Sequence, residues 1–396
     1  MEKTPQSLRK HVCIYGETNA GKSTLFNKIL GTDTSIVSEV KGTTTDVHSK
    51  SMELIPYGPI VLMDTAGLND GSVLGEKRME RTMAAISRTD IAIYCIDFKK
   101  YSHKEYENIT KIFKERNIPC ITVITKVDLL NDDEILKAKK IKAILINGDS
   151  NLLQLKNAIG KEMDREESDN FLLKDIVEPR ESIILVIPID SESPKGRLIA
   201  PQVRLIRECL DRNIVCITTT LETLDSTINN IKAKIIVTDS QVFNEVDKIV
   251  NGRMKITSFS ILLAKQNGFL EESVQGTYAI NFLKDGSKVL ILESCTHTKN
   301  HEDIGSVKIP KLLKKITGQE IEFNFFNGRD FPKTMNYDLV IHCGGCMMTT
   351  REVKSRIEVC KKNNIPIINY GVFLAFANNM LDRSIEMIRG EHECGL

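Results

Sequence analysis

Short apolar runs recur along this chain, separated by segments whose apolar residues repeat at helical spacing. Residues 11–15, 60–63, 121–124, 182–189, 214–219, 233–238, 288–293, 337–342 and 365–369 are the runs. Brief, continuous and rich in Val and Ile, they predict strands buried on both faces, as in a parallel sheet. Helical spacing marks residue 24 to about 30, then 198–211, 221–231, 241–250, 258–265 and 350–363. Strands alternating with helices predict an α/β fold with doubly wound parallel sheets. A chain of 396 residues is too long for one core. A charge-rich stretch at 164–170 reads as a linker. Two or three domains are expected, with bounds at 1–165, 166–259 and 260–396 in the three-domain case.

Composition narrows the class. The chain is 41% hydrophobic with a formal net charge of +1, so no bulk basicity points to nucleic acid. No apolar run reaches the ~18 residues of a membrane span, and the start shows no secretory signal. No membrane partner and a cytoplasmic location are expected. In a reducing compartment the ten cysteines are not a disulfide framework. Cys13, Cys95, Cys120 and Cys216 fall in strand-like runs, Cys209 and Cys360 in helix-like ones, and Cys394 lies near the end. Free Cys buries readily, so the first six read as core thiols. Cys295, Cys343 and Cys346 stand apart.

The first run leads into Gly16-Glu17-Thr18-Asn19-Ala20-Gly21-Lys22-Ser23, then a helix from Thr24. This is the phosphate-binding loop in its strand–loop–helix context. Backbone N–H groups from Gly16 to Thr24 would wrap the phosphates, Lys22 would reach the β and γ oxygens, and Ser23 would ligate Mg²⁺. The second run ends in Asp64-Thr65-Ala66-Gly67. Asp64 is placed to hold Mg²⁺ through water, and the Gly67 N–H to sense the γ-phosphate. The third ends in Thr125-Lys126-Val127-Asp128. The Asp128 carboxylate can accept two guanine N–H groups that adenine lacks, with the Lys126 stem along the base. Three motifs in order at three strand ends predict a GTPase with GTP or GDP and Mg²⁺. In Gly42-Thr43-Thr44-Thr45-Asp46, Thr44 is the expected Mg²⁺ ligand, with Thr43 the alternative. Leu68 stands where many small GTPases carry a water-orienting Gln. Residues 146–148 are the candidate for the last guanine loop.

These motifs together resemble the Era/TrmE branch of GTPases. The resemblance implies K⁺ activation through Asn19, which joins Lys22, Asp64 and Thr44 as the expected catalytic set. Thr45 departs from the Arg usual in that branch.

The middle stretch carries no glycine-rich fingerprint and no Cys/His cluster. Asp239 and Ser240 read as a turn and helix cap. A domain without chemistry suggests an interface, and a homodimer through it is expected. In the last third, Cys295 follows one strand and Cys343 another, with Cys346 three residues on. If the strands are parallel, all three gather at one carboxyl-end edge. The next helix would aim free N–H groups at the sulfurs. Zinc, an iron–sulfur cluster or a redox dithiol each fits C-x-x-C spacing. His297 and His342 are candidate fourth ligands, and His342 equally reads as a supporting imidazole.

Further stretches complete a second resemblance: residues 188–198, Thr238-Asp239-Ser240-Gln241, Cys295-Thr296-His297, Gly328-Arg329-Asp330-Phe331-Pro332, His342-Cys343-Gly344-Gly345-Cys346 and Asn369-Tyr370-Gly371. Over essentially its whole length the chain resembles the [FeFe]-hydrogenase maturation GTPases, the HydF family. The likeness implies a P-loop GTPase domain followed by two smaller doubly wound α/β domains, one for dimerisation and one for a cluster. It implies a [4Fe–4S] cluster on Cys295, Cys343 and Cys346 with the fourth iron site open or weakly ligated. It also implies a scaffold that carries a transient diiron precursor from two radical-SAM maturases to apo [FeFe]-hydrogenase. The other reading is a regulatory Era/TrmE-like GTPase of ribosome or tRNA maturation with a structural zinc domain.

Overall fold

The computed structural model describes residues 9–31, 38–39, 48–65, 85–167, 171–189, 195–294, 303–328, 331–332 and 334–389. The chain divides into two compact units, Met1–Asp169 and Asn170–Leu396.

Among its described residues the first unit holds seven strands: β1 (Lys10–Gly16), β2 (Ser38–Glu39), β3 (His48–Leu54), β4 (Gly58–Asp64), β5 (Ile91–Asp97), β6 (Cys120–Thr125) and β7 (Ile144–Leu145). Their order is β2-β3-β4-β1-β5-β6-β7. The β2–β3–β4 edge is antiparallel and the remainder parallel. Side chains of β1 alternate between two cores: Val12 and Ile14 enter one, Cys13 and Tyr15 the other. Each fully buried aliphatic side chain here contributes about 1.5–3 kcal/mol. The helix Lys22–Gly31 adds Leu25, Phe26 and Ile29 to the first core, and His103–Glu115 adds Ile109 and Phe113 to the second. The helix Leu152–Glu167 presents Leu152, Leu155, Ile159 and Met163 to the first core. It runs on through most of the charge-rich stretch expected to be a linker. Charged residues at a helix end need no partner to stay helical when the apolar stripe behind them is buried.

The second unit holds two sheets. β8 (Ser182–Val186), β9 (Val215–Thr219), β10 (Ile235–Thr238) and β11 (Ile256–Ser258) run in the order β11-β10-β8-β9. β12 (Lys288–Glu293), β13 (Glu322–Asn327), β14 (Leu339–His342) and β15 (Ile367–Asn369) run in the order β13-β12-β14-β15. Every pairing in both sheets is parallel. β11 and β13 were not anticipated. The first is three residues long, and the second mixes three Phe with two Asn and a Glu, in no strict alternation, along a half-covered edge.

One helix serves both cores. In Phe259–Gln266, Phe259, Leu262 and Leu263 pack into the middle domain, while Ile261 and Ala264 pack into the last. The final helix, Leu381–Arg389, returns against β11, where Arg383 pairs with Asp247 at 2.6 Å and Lys255 with Glu386. In the last sheet the chain goes from β12 out to β13 and crosses back to β14. Strand order therefore reverses between β12 and β14. That is the position where an open α/β sheet parts its loops and admits a ligand. No helix among the described residues is long and apolar enough to cross a membrane.

Candidate functional site

Two carboxyl-end edges carry chemistry. At the first, β1 runs into the phosphate loop at Gly16, whose φ is +144°. A Cβ there would sit 2.3 Å from the Cys95 carbonyl, so only glycine lets the loop leave the sheet beside β5. Asn19 takes φ +65°, a left-handed conformation that Asn tolerates. The loop is tied to the guanine motif: Thr125 Oγ1 donates to the Ala20 carbonyl at 2.6 Å. A Cβ on Gly21 would meet that Thr125 side chain at 3.3 Å.

Lys22 is buried, and its Nζ donates to the Glu17 carbonyl at 2.6 Å. Burial pulls its pKa below the ordinary value, against the charge of Asp64. The Ser23 hydroxyl donates to Asp64 Oδ2 at 2.7 Å. Asp64 Oδ1 is buried with no hydrogen-bond partner among the described residues. A hydroxyl and a half-satisfied buried carboxylate side by side suit a hard, oxygen-seeking cation such as Mg²⁺. Thr24 and Asp128 are exposed, Asp128 in the single turn Val127–Leu129 beyond β6. Lys126, at φ +53°, makes the bend, and its Nζ pairs with Asp97 at 2.8 Å. Ile146, Asn147 and Gly148 follow β7, and the Ile146 N–H bonds the Ile124 carbonyl of β6. Glu17 has its pKa pushed up to about 7 by a hydrogen bond with Glu105, then by burial and the Glu105 charge. Thr43, Thr44 and Gly67 lie outside the described residues.

At the second edge, Cys343 follows β14 directly, and its N–H bonds the Leu292 carbonyl of β12 at 2.9 Å. Its sulfur accepts from the Ser294 N–H at 3.1 Å and the Gly345 N–H at 3.4 Å, and the Ser294 hydroxyl lies 2.9 Å away. Burial and then the neighbouring Cys346 hold the Cys343 thiol above its ordinary pKa, while these donors pull it down. Such a sulfur gives up its proton once a cation supplies the missing charge. Gly345 sits at φ +72°, and a Cβ there would lie 2.6 Å from Val353. The turn therefore needs glycine to bring Cys346 round. Cys346 packs against the middle domain's core and Cys343 against the last domain's core, so the loop lies on the seam between them. Cys295 and His297 fall outside the described residues; Ser294, the residue before Cys295, is the one that holds Cys343.

His342 is fully buried. Its Nδ1 is 2.6 Å from the Cys343 carbonyl oxygen, and its Nε2 is 3.4 Å from Arg356 Nη1. Burial, then the Arg356 charge, lower its pKa to about 4, so the ring is neutral. The helix expected to aim free N–H groups at the sulfurs is Thr350–Lys362. Its first turn carries a capping box: the Glu352 N–H donates to Thr349 Oγ1 and the Thr349 N–H to the Glu352 carboxylate. N–H donors to the Cys343 sulfur come from Ser294 and Gly345. Neither they nor Arg356 was singled out from the sequence. The nearest signals were the position of Ser294 beside Cys295 and the glycine pair inside the cysteine motif.

Residues 172–268 match the family model for the hydrogen maturase F dimerization domain, and residues 271–387 that for the hydrogen maturase F tetramerization domain. Together the two cover more than half of the chain. The chain belongs to the hydrogen maturase F family. Residues 11–126 match the model for a 50S ribosome-binding GTPase. GTPase Der of Kosmotoga olearia is 40% identical over 136 residues, 33% of this chain and 30% of that protein. The tRNA modification GTPase MnmE of Chromobacterium violaceum is 36% identical over 120 residues, 30% of this chain and 26% of that protein. The chain thus spans about a third of the length of such curated relatives. Era of Aquifex aeolicus bound to GDP and AlF4⁻ is 20% identical at a TM-score of 0.32, over 60% of this chain and 97% of that one. The first domain of this maturase F chain is a P-loop GTPase domain related to Der and MnmE. The two domains that follow match models named for self-association.

Proposed function

We propose that the chain is a GTP-hydrolysing scaffold of hydrogenase maturation. It binds a [4Fe–4S] cluster and carries a diiron precursor as cargo from two radical-SAM maturases to apo [FeFe]-hydrogenase in the cytoplasm. The observation that carries this reading is the Cys343 sulfur, held by two backbone N–H donors and the Ser294 hydroxyl at the strand-order reversal of a maturase F domain. N–H···S and O–H···S contacts of this kind favour a thiolate bound to iron. Cys343 and Cys346 hold the group from one loop, with Cys295 as the third thiolate by family resemblance. The cluster supplies an iron whose fourth position can exchange ligands.

At the other edge Lys22 releases the Glu17 carbonyl to reach the β and γ phosphates, and Ser23 turns from Asp64 to Mg²⁺, with Thr44 as a further ligand. Asp128 reads guanine. Asn19 places K⁺ as the activating charge, in the absence of a water-orienting Gln at Leu68. GTP turnover gates exchange of partners. Self-association through the middle domain uses an available edge: β9 ends its sheet, and Val215 on it is 51% exposed. The domains are the GTPase (1–165), dimerisation (166–259) and cluster (260–396) domains.

Anaerobically purified protein is the test. Brown protein with about four irons and four sulfides per chain and an EPR signal on reduction is expected. Colourless protein with stoichiometric zinc overturns the cluster and favours the ribosome or tRNA reading. GTP hydrolysis in KCl against NaCl tests Asn19 separately.

A further inference from the structure

The buried histidine beside the cysteine loop has two nitrogens and two neighbours, and the neighbours settle its protonation. Arg356 has only N–H donors to offer and stays charged in proteins. The ring atom facing its Nη1 at 3.4 Å, Nε2, must therefore present a lone pair. In a neutral imidazole the proton then sits on Nδ1. That proton points at the Cys343 carbonyl oxygen, 2.6 Å away. Both ring positions are committed: one lone pair faces a cation, and the other nitrogen spends its proton on backbone. A metal ligand needs an unshared lone pair directed at the metal.

Arg356 is itself held. Its Nη2 donates to the Gly328 carbonyl at 2.8 Å, just past the end of β13. Its guanidinium carbon lies 5.5 Å from the centre of the Phe331 ring. Phe269 meets His342 edge-on at 6.3 Å between ring centres, packing the imidazole from another element. The guanidinium thus links the carboxyl ends of β13 and β14 and the helix that follows the cysteine loop. A planar fork in a buried setting has little freedom to move, and it orients the ring it touches.

We propose that Arg356 is a positioning residue for the sulfur site: it fixes the tautomer of His342, which holds the Cys343 backbone as a hydrogen-bond donor and does not ligate metal. This rests on the reading that Cys343 binds the cluster. Hydrogen-bond partners one step behind a ligand are worth roughly 10–100-fold in metal retention.

Four proteins decide it, each prepared anaerobically as the full chain: wild type, His342→Asn, Arg356→Gln and the double variant. Asn places an N–H donor where Nδ1 stood and removes the group that faces Arg356. Iron and sulfide per chain, the EPR signal of the reduced cluster and the rate of iron loss to a chelator are read. GTP hydrolysis and circular dichroism report folding. For His342→Asn the expected result is an EPR signal identical to wild type with iron content preserved. Arg356→Gln should lose iron about tenfold faster. Adding Arg356→Gln to His342→Asn should change nothing further, because the arginine acts through the imidazole. An altered EPR signal in His342→Asn, or effects that add in the double variant, overturns the proposal. Should Arg356→Gln fail to fold, Arg356→Lys, which keeps the charge and loses the planar fork, takes its place with the same expected loss of iron, and the EPR signal of His342→Asn tests the histidine by itself. A wild-type chain without iron is a different result: it removes the cluster reading, and this one with it.

Discussion

The nucleotide edge and the sulfur edge solve the same problem with opposite chain economies. Both lie at the carboxyl ends of parallel strands, and both turn backbone N–H groups toward the place proposed for an anionic or metal-bound group. At the nucleotide edge one continuous loop, Gly16 to Ser23, provides most of the donors. Its neighbours only brace it, as Thr125 does through the Ala20 carbonyl. At the sulfur edge no single stretch is sufficient. Cys343 follows β14, its donors come from Ser294 after β12 and from Gly345, His342 ends β14, and the Arg356 that faces His342 comes from a helix further on. A contiguous loop can be written as a motif. An assembled site is held by topology, so its critical residues are scattered.

Separating the two edges by mutation gives the largest effect first. Cys343→Ser should abolish cluster binding, measured as iron per chain, and leave GTP hydrolysis near the wild-type rate. Parallel loss of hydrolysis would show the edges to be one functional unit. The reciprocal change, Lys22→Ala, should lower phosphate release by about 10²–10³-fold, since it removes a charge that stabilises the transferring phosphoryl group, and should leave iron content unchanged. Asp128→Asn is expected to cost about 10–100-fold in GTP affinity while improving xanthosine triphosphate binding, because the amide can donate where the carboxylate could only accept. Competition binding with the two nucleotides reads this directly.

The smallest effect concerns pH. Glu17 carries a folded-state pKa raised to about 7 by its hydrogen bond with Glu105. A raised carboxylate pKa means the folded protein holds a proton that the unfolded chain releases at about 4.5. Its contribution is fully present below pH 4.5 and is lost as pH rises through 7. Glu105→Gln donates to Glu17 without a shared proton. The decline in melting temperature of the nucleotide-free protein between pH 5 and 8 should therefore be shallower in the variant than in wild type. Equal slopes would show that the pair does not titrate there.

Legibility followed the same division. The strands of residues 11–15, 60–63 and 121–124 appear as β1, β4 and β6 within one to two residues at each end, because continuous Val/Ile runs buried on both faces have few alternatives. β13 was missed because Glu322–Asn327 lies at a half-covered edge, where an apolar pattern is weakly enforced. Residues 164–167 of the stretch read as a linker are helical because the burial of Ile159 and Met163 outweighs a surface rich in charge, and the two units divide within that stretch, between Asp169 and Asn170. Around the sulfurs, the cysteines were visible as residue types at a telling spacing. Ser294 and Arg356 were not, since a serine and an arginine acquire meaning there only through what they touch.

By itself the sequence determined the residue chemistry and its local order: a phosphate loop before a helix, a carboxylate in the place proposed to read guanine, two thiols three residues apart. Local order suffices when every donor lies within one turn of the chain. Only the tertiary structure decided that β12 and β14 are neighbours across a reversal of strand order, that Ser294 faces Cys343, and that Arg356 faces His342 Nε2. Those facts depend on which strands pair and which side chains are buried together. Such choices are made by the whole core at once, and no short stretch of the chain encodes them.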